Sequence, residues 1–327
     1  MPEVDDNRMV CYKRRRSHRW GKRGGDVTWR MTAATVLAAT MIAPAQAQLQ
    51  KPDTTIRTEE VATGVYVLYG NGGNIGASVG ADGVFLIDDQ YAPLTPAINA
   101  ELAKLSPEPV RFVLNTHWHG DHTGGNENYA KAGAVIIAQD NVRARLSVPQ
   151  AMEFIKRTEP AAPPAALPLV TFNDTVTLHL NGDEVRAVHV ARAHTDGDAV
   201  IHFRVANVIH AGDTYFNELY PFIDVDSGGS VEGSLAAVDA MLALADESTR
   251  IIPGHGKVSG RAGLEAYRKM LVETSGRVRA LKAAGKTVEE IVAAAPNADY
   301  DKTWSWSFIN AERYIRMLYA SMEKEKE

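Results

Sequence analysis

Cysteine is almost absent: the 327 residues contain one, Cys11. A chain starting at Gln48 would therefore have no disulfide and no thiolate to offer a metal, and a core of this size needs neither. Lys and Arg are missing between Arg204 and Arg250, where Asp and Glu are frequent. Residues 1–30 hold nine Lys/Arg against four Asp/Glu and residues 31–47 hold no charge, so the remainder carries a net charge of −10. Without a basic face such a body is a poor candidate for binding nucleic acid. Long apolar runs are missing too. Met31–Pro44 is about 14 residues, short of a bilayer span.

The N-terminal 47 residues have the pattern of an export leader. A basic stretch, Lys13–Arg23, precedes the apolar run, and Ala45-Gln46-Ala47 fits a small-x-small cleavage site. Cleavage after Ala47 would deliver the protein to the periplasm or the medium, with no stable membrane span left. Arg14-Arg15-Arg16 hints at twin-arginine export but lacks the apolar residues expected directly behind it. Residues 48–58 read as a loose polar segment. Residues 59–327 read as one domain with a helical C-terminal extension at 260–327.

Short apolar segments at Val65–Leu68, Ile75–Val79, Gly83–Ile87, Val110–Leu114 and Ala134–Ala138 predict strands. So do Val176–Leu180, Val185–Val190, Ala199–Phe203, Val208–His210 and Arg250–Ile252. Gly70–Asn74 is a turn signal, read as a mobile hairpin tip. Helical spacing covers 93–105, 125–131, 141–146, 230–245 and much of 264–324. Residues 150–168, rich in alanine and proline, read as a surface connection. Strand runs closed by a helix, twice over, predict an α/β fold of two sheets with helices outside.

Four potential metal ligands crowd into His117-Trp118-His119-Gly120-Asp121-His122, directly after the apolar strand Val110–Leu114. Imidazole and carboxylate are costly to bury unless hydrogen-bonded or bound to a cation, and both are zinc ligands. Three further strands end in a ligand beside a small residue: His194 after Val185–Val190, Asp213 after Val208–His210, and His255 after Arg250–Ile252. Side chains delivered from several strand ends into one crevice are the usual way α/β proteins build sites.

In these motifs, over about residues 60–257, the chain resembles the metallo-β-lactamase superfamily. The resemblance implies an αββα sandwich of two mixed β-sheets flanked by helices, with a dinuclear metal site at one edge. His117, His119 and His194 would hold one zinc, Asp121, His122 and His255 a second, and Asp213 would bridge them. Two Zn2+ are the expected ions, with iron or manganese as alternatives. Metal-activated hydroxide would attack a carboxyl derivative of a small-molecule substrate, with Asp121 orienting it or shuttling its proton. No protein nucleophile is needed, and no Gly-x-Ser-x-Gly elbow is expected.

Asp88 and Asp89 resemble a family position that supports the metal loop from behind. Asp196 and Asp198 are candidates to fix His194. Trp118, Tyr215, Phe216, Tyr220 and Phe222, with Trp304 and Trp306, are candidates to line a pocket. His179, His189, His202 and His210 lie within strands and are read as non-ligands.

Several β-lactamases of the superfamily carry a lysine shortly after the position of Asp213 to hold the substrate carboxylate, and thiolate subclasses carry cysteine at that position. Here the sequence runs Tyr215-Phe216-Asn217-Glu218. β-Lactam hydrolysis is nevertheless ranked first, because export places the protein where β-lactams arrive. Glyoxalase II-type thioester hydrolysis and lactone hydrolysis come next. Readings of another class are a mononuclear iron sulfur dioxygenase and a non-enzymatic metal-binding protein.

Overall fold

The structure is a computed structural model that describes residues 54–324. The leader, its cleavage site and residues 48–53 lie outside the described residues. The first strand, β1 (Arg57–Ala62), begins inside the segment expected to be loose and pairs antiparallel with β2 (Val65–Tyr69). β3 (Ile75–Gly80) and β4 (Gly83–Ile87) continue the meander. α1 (Thr95–Leu102) then crosses over to β5 (Val110–Leu114), parallel to β4, and chain direction in the sheet changes from alternating to aligned.

After β5 come α2 (Gly120–Thr123), α3 (Asn126–Lys131), β6 (Val135–Gln139) and α4 (Asp140–Leu146). The run read as a plain surface connection contains a small hairpin, β7 (Gln150–Met152) and β8 (Arg157–Glu159), before β9 (Val170–Phe172) closes the first sheet. Short strands among prolines gave no periodic signal of their own. The first sheet has the order β1-β2-β3-β4-β5-β6-β9.

The second sheet runs β10 (Thr175–Leu180), β11 (Asp183–His189), β12 (Ala199–Phe203), β13 (Val208–His210), β14 (Arg250–Ile252) and β15 (Ser259–Gly260) in that order. α5 (Val231–Leu244) is the crossover between the parallel strands β13 and β14, and Ser230 caps it by accepting from the amide of Gly233. The extension supplies α6 (Arg261–Ala283), α7 (Val288–Ala294), α8 (Ala298–Trp304) and α9 (Ala311–Lys324).

Three apolar layers follow from this order. Val67, Phe85 and Leu114 of the first sheet pack against Val185, Ile201 and Phe203 of the second, between the sheets. Leu68, Leu86 and Val113, on the opposite face of the first sheet, meet Ile98 and Leu102 of α1. Ile209 and Ile251, on the outer face of the second, meet Val238 of α5 and Leu264, Met270 and Leu271 of α6. Burial on both faces explains why β4 reads as an unbroken apolar run. The ligand-bearing segments all leave the carboxyl ends of β5, β13 and β14 or the turn after β11, at one edge of the sandwich.

Candidate metal centre

Seven side chains converge at that edge. His117, His119, His194 and Asp213 present ligand atoms within 4.8 Å of one another, and Asp121, His122 and His255 form a second such group. Asp213 lies between the groups. Its Oδ1 is 3.1 Å from Nε2 of His122, and its Oδ2 is 3.5 Å from Nε2 of both His194 and His255. Asp121 Oδ2 is 3.3 Å from His255 Nε2.

Proton placement tests whether cations belong here. His119 Nε2 lies 3.0 Å from Asp224 Oδ2, His194 Nδ1 2.7 Å from the carbonyl of Phe222, and His122 Nδ1 2.7 Å from Asp88 Oδ2. Those partners only accept, so each ring carries its proton on that nitrogen, an assignment made from the network. In neutral rings the opposite nitrogens are bare lone pairs. His119 Nδ1 then faces His194 Nε2 at 2.9 Å and His117 Nε2 at 3.2 Å. His122 Nε2 faces the carboxylate of Asp213, and neither that nitrogen nor Asp213 Oδ1 has a hydrogen-bond partner. Acceptors aimed at acceptors in a buried site repel unless a cation lies between them. The donor set therefore fits divalent metal at the two groups, and imidazole with carboxylate is a zinc-type set.

Electrostatics agree. Burial, with the neighbouring imidazoles, holds His117 well below its ordinary value, and burial lowers His194 to about 4. Burial would also lower His122 and His255, but the charges of Asp213 and Asp121 overcome it, raising His122 well above its ordinary value and His255 to about 9. Without metal, the carboxylates retain a proton on His255 that a divalent ion would displace.

Backbone and second-layer contacts fix the geometry. Asp88, at positive φ (62°), accepts from the amide and hydroxyl of Thr116 at 2.7 and 2.8 Å as well as from His122. That non-glycine residue in a strained conformation ties the metal loop to the end of β4. A Cβ on Gly254 would stand 2.0 Å from Asp213 Oδ1, and one on Gly73 2.0 Å from the ring of His122. Only glycine admits ligands that close. The amides of His194 and Thr195 donate to Asp198 at 2.6 and 2.8 Å.

Asp196, expected to share that role, instead makes a two-pronged ion pair with Arg145. Asp224 was missed. It accepts from His119 across 105 residues of sequence, and no local pattern marks it. Burial would raise its carboxyl, but the His119 hydrogen bond outweighs that and holds it at about 2.

The His/Asp cluster opens into a cavity of about 310 Å³. Its aromatic wall is Phe216, Phe222, Trp306 and Phe308, with Phe216 stacked on His255 at 5.3 Å between ring centroids. The facing wall is the β7–β8 hairpin, through Met152, Ile155, Arg157 and Glu159. Asn71 and Tyr91 complete the mouth.

Four pocket candidates lie elsewhere. Trp118 is buried with Ala138, Val142 and Met152 beneath the metal loop and borders a neighbouring cavity. Tyr215 is buried against Tyr267 and bonds Asn217 and Ser259, while Tyr220 stacks on Tyr314 in the core. Trp304 is buried against Tyr267, whereas Trp306 reaches the cavity. Aromatic residues filling a core and lining a cleft look alike in sequence.

Among the strand histidines, His179 is exposed, His202 half-buried, and His189 bonds the carbonyl of Asp198. His210 is buried, with Nε2 3.1 Å from the carbonyl of Asn74. Gly76-Ala77-Ser78-Val79-Gly80 does spell Gly-x-Ser-x-Gly, contrary to expectation. Ser78 nonetheless sits mid-strand in β3, opposite Val65 and Phe85, and its hydroxyl accepts from Asn181. It forms no strand-to-helix elbow.

A two-sheet sandwich with a His/Asp cluster at one edge defines a metallohydrolase-type fold. The sequence profile described as "Metallo-beta-lactamase superfamily" matches residues 68–255, and the chain belongs to that superfamily of metal-dependent hydrolases. A hydroxyacylglutathione hydrolase from Erythrobacter litoralis is 29% identical over 140 residues, covering 40% of this chain and 47% of the relative. The chain spans about half the length of the curated relatives it matches. Among solved structures, a metallo-beta-lactamase from Pontibacter korlensis is similar at TM-score 0.56 and 15% identity, over 66% of this chain and 99% of that one. The sec-alkylsulfatase Pisa1 from Pseudomonas sp. is similar at TM-score 0.60 and 19% identity, over 81% of this chain and 50% of that one. These structural likenesses speak to fold alone.

Proposed function

We propose that the protein is an exported, two-zinc hydrolase of thioester or ester bonds, using Asp121, His122 and His255 with His117, His119 and His194 around Asp213. The observation that supports it best is the set of bare imidazole and carboxylate acceptors converging on two points beside an aromatic cleft. When bound, the metals supply Lewis acidity and a water acidic enough to attack near neutral pH. Asp121, a quarter exposed at the cavity floor, is placed to orient that water and move its proton. Phe216, Phe222 and Trp306 exclude solvent and receive the apolar part of the substrate.

Thioester and ester bonds move ahead of β-lactams in this reading. The hydroxyacylglutathione hydrolases share the sequence likeness, and no lysine lies between Asp213 and Lys257. The test is a panel of penicillins, carbapenems, lactones, esters and thioesters presented to zinc-loaded protein. Turnover of thioesters or esters at least tenfold above β-lactams, lost with chelator, supports the reading. A β-lactam preference contradicts the order, and no metal-dependent turnover contradicts the hydrolase.

A further inference from the structure

We infer that Arg157 is the anchor for an anionic group of the substrate; this rests on the hydrolase reading above and adds the substrate's charge to it. Among the described residues lining the metal cavity, Arg157 is the only Lys or Arg. It stands on β8, opposite Met152 of β7, so the hairpin brings a guanidinium to the wall facing Phe216 and Trp306. The hairpin is held in place. The amide of Phe154 donates to Asp226 at 3.1 Å, and the Phe154 ring lies 6.4 Å from Phe222. Arg157 therefore hangs on the same loop system that supplies Asp224 to His119.

Its surroundings leave it available. Glu159, two residues on, is its ion-pair partner, and the side chains are 54% and 25% exposed. Solvated pairs of this kind contribute about 0–1 kcal/mol, so a substrate carboxylate replaces Glu159 at little cost. A guanidinium offers that carboxylate two parallel donors. Tyr91 stands on the same rim as Arg157. The favoured substrate is thus bipolar: an apolar portion against the aromatic wall, a reacting carbonyl at the metals, and an anionic terminus at the hairpin. Lys257 and Arg57 border an adjacent cavity that shares His255 and Trp306, and are the rival anchors.

The test uses two matched pairs of probes. Zinc-loaded protein is given phenyl thioacetate and 4-carboxyphenyl thioacetate, and binding of acetanilide and 4-acetamidobenzoate is followed by NMR titration. The wild type is expected to favour the carboxylate member about tenfold in KM and in dissociation constant. Arg157→Ala should erase that preference, Arg157→Lys should restore part of it, and Glu159→Gln should enlarge it. A wild type indifferent to the carboxylate, a preference untouched in Arg157→Ala, or one abolished in Lys257→Ala would each overturn the inference. If neither thioester turns over but the Arg157-dependent binding preference persists, the hydrolase reading fails and the anchor stands.

Discussion

Nε2 of His119 lies 3.0 Å from Oδ2 of Asp224, a residue 105 positions away on the loop that precedes α5. Asp224 itself accepts from the amides of Asp226 and Ser227, so the carboxylate is fixed before it meets the ring. This contact holds the proton on Nε2 and turns Nδ1 towards His194 and His117. Asp224→Ala is expected to weaken metal binding about 10- to 100-fold while leaving the second sheet intact. Competition with a chromophoric chelator, alongside circular dichroism, reads both. Unchanged metal affinity would show that His119 needs no orienting partner.

Gly254 tests crowding rather than chemistry. The added methyl of Gly254→Ala would meet Asp213 Oδ1 at 2.0 Å with backbone of Gly212 at 2.6 Å behind it. The backbone of Gly212 cannot give way, so the carboxylate of Asp213 must move. Metal content should fall and turnover drop at least a hundredfold, with thermal unfolding still cooperative. A fully active variant would mean that the position of Asp213 is not critical.

His202 separates ligands from strand histidines. It lies on β12 opposite Ile209 and Arg186, away from the cluster. His202→Ala should keep kcat/KM within about threefold and cost at most about 1 kcal/mol in urea unfolding, as surface substitutions do. A loss comparable to that of His119→Ala would show that the strand histidines had been sorted wrongly.

Acid sensitivity follows from His210. Burial lowers its pKa to about 4 against an ordinary 6.5, and both ring nitrogens are engaged, Nε2 with the carbonyl of Asn74 and Nδ1 with the amide of Gly212. Between those values the unfolded chain binds a proton that the folded one excludes, so stability is full above pH 6.5 and is lost as pH falls towards 4. From pH 7 to 4.5 this one group removes about 2 kcal/mol. His210→Gln should show that much less pH dependence in urea unfolding. An identical pH slope in the variant would rule His210 out as the source.

Much of this architecture is legible in the chain because strands and ligands share one grammar. β4, β5 and β13 are apolar runs, and each ends where a polar ligand or its support begins. All seven side chains that converge at the sheet edge were nameable as candidate ligands before their positions were, since residue type and strand-end placement constrain them locally. What stayed hidden depends on long-range meetings. Asp224 gains its role from His119 far away, and Asp196 loses its expected one to Arg145 because α4 packs beside the His194 turn. Tyr215 and Trp118 are apolar residues whose burial is decided by α6 and by β6 and α4, not by their neighbours in sequence. The β7–β8 hairpin is three residues a side among prolines, too short to show a period.

Metal analysis of protein purified without added metal bears most directly on the account. It predicts close to two zinc ions per chain, falling to one or fewer in Asp213→Ala. One tightly held iron per chain, or a wild-type metal content in Asp213→Ala, would contradict it.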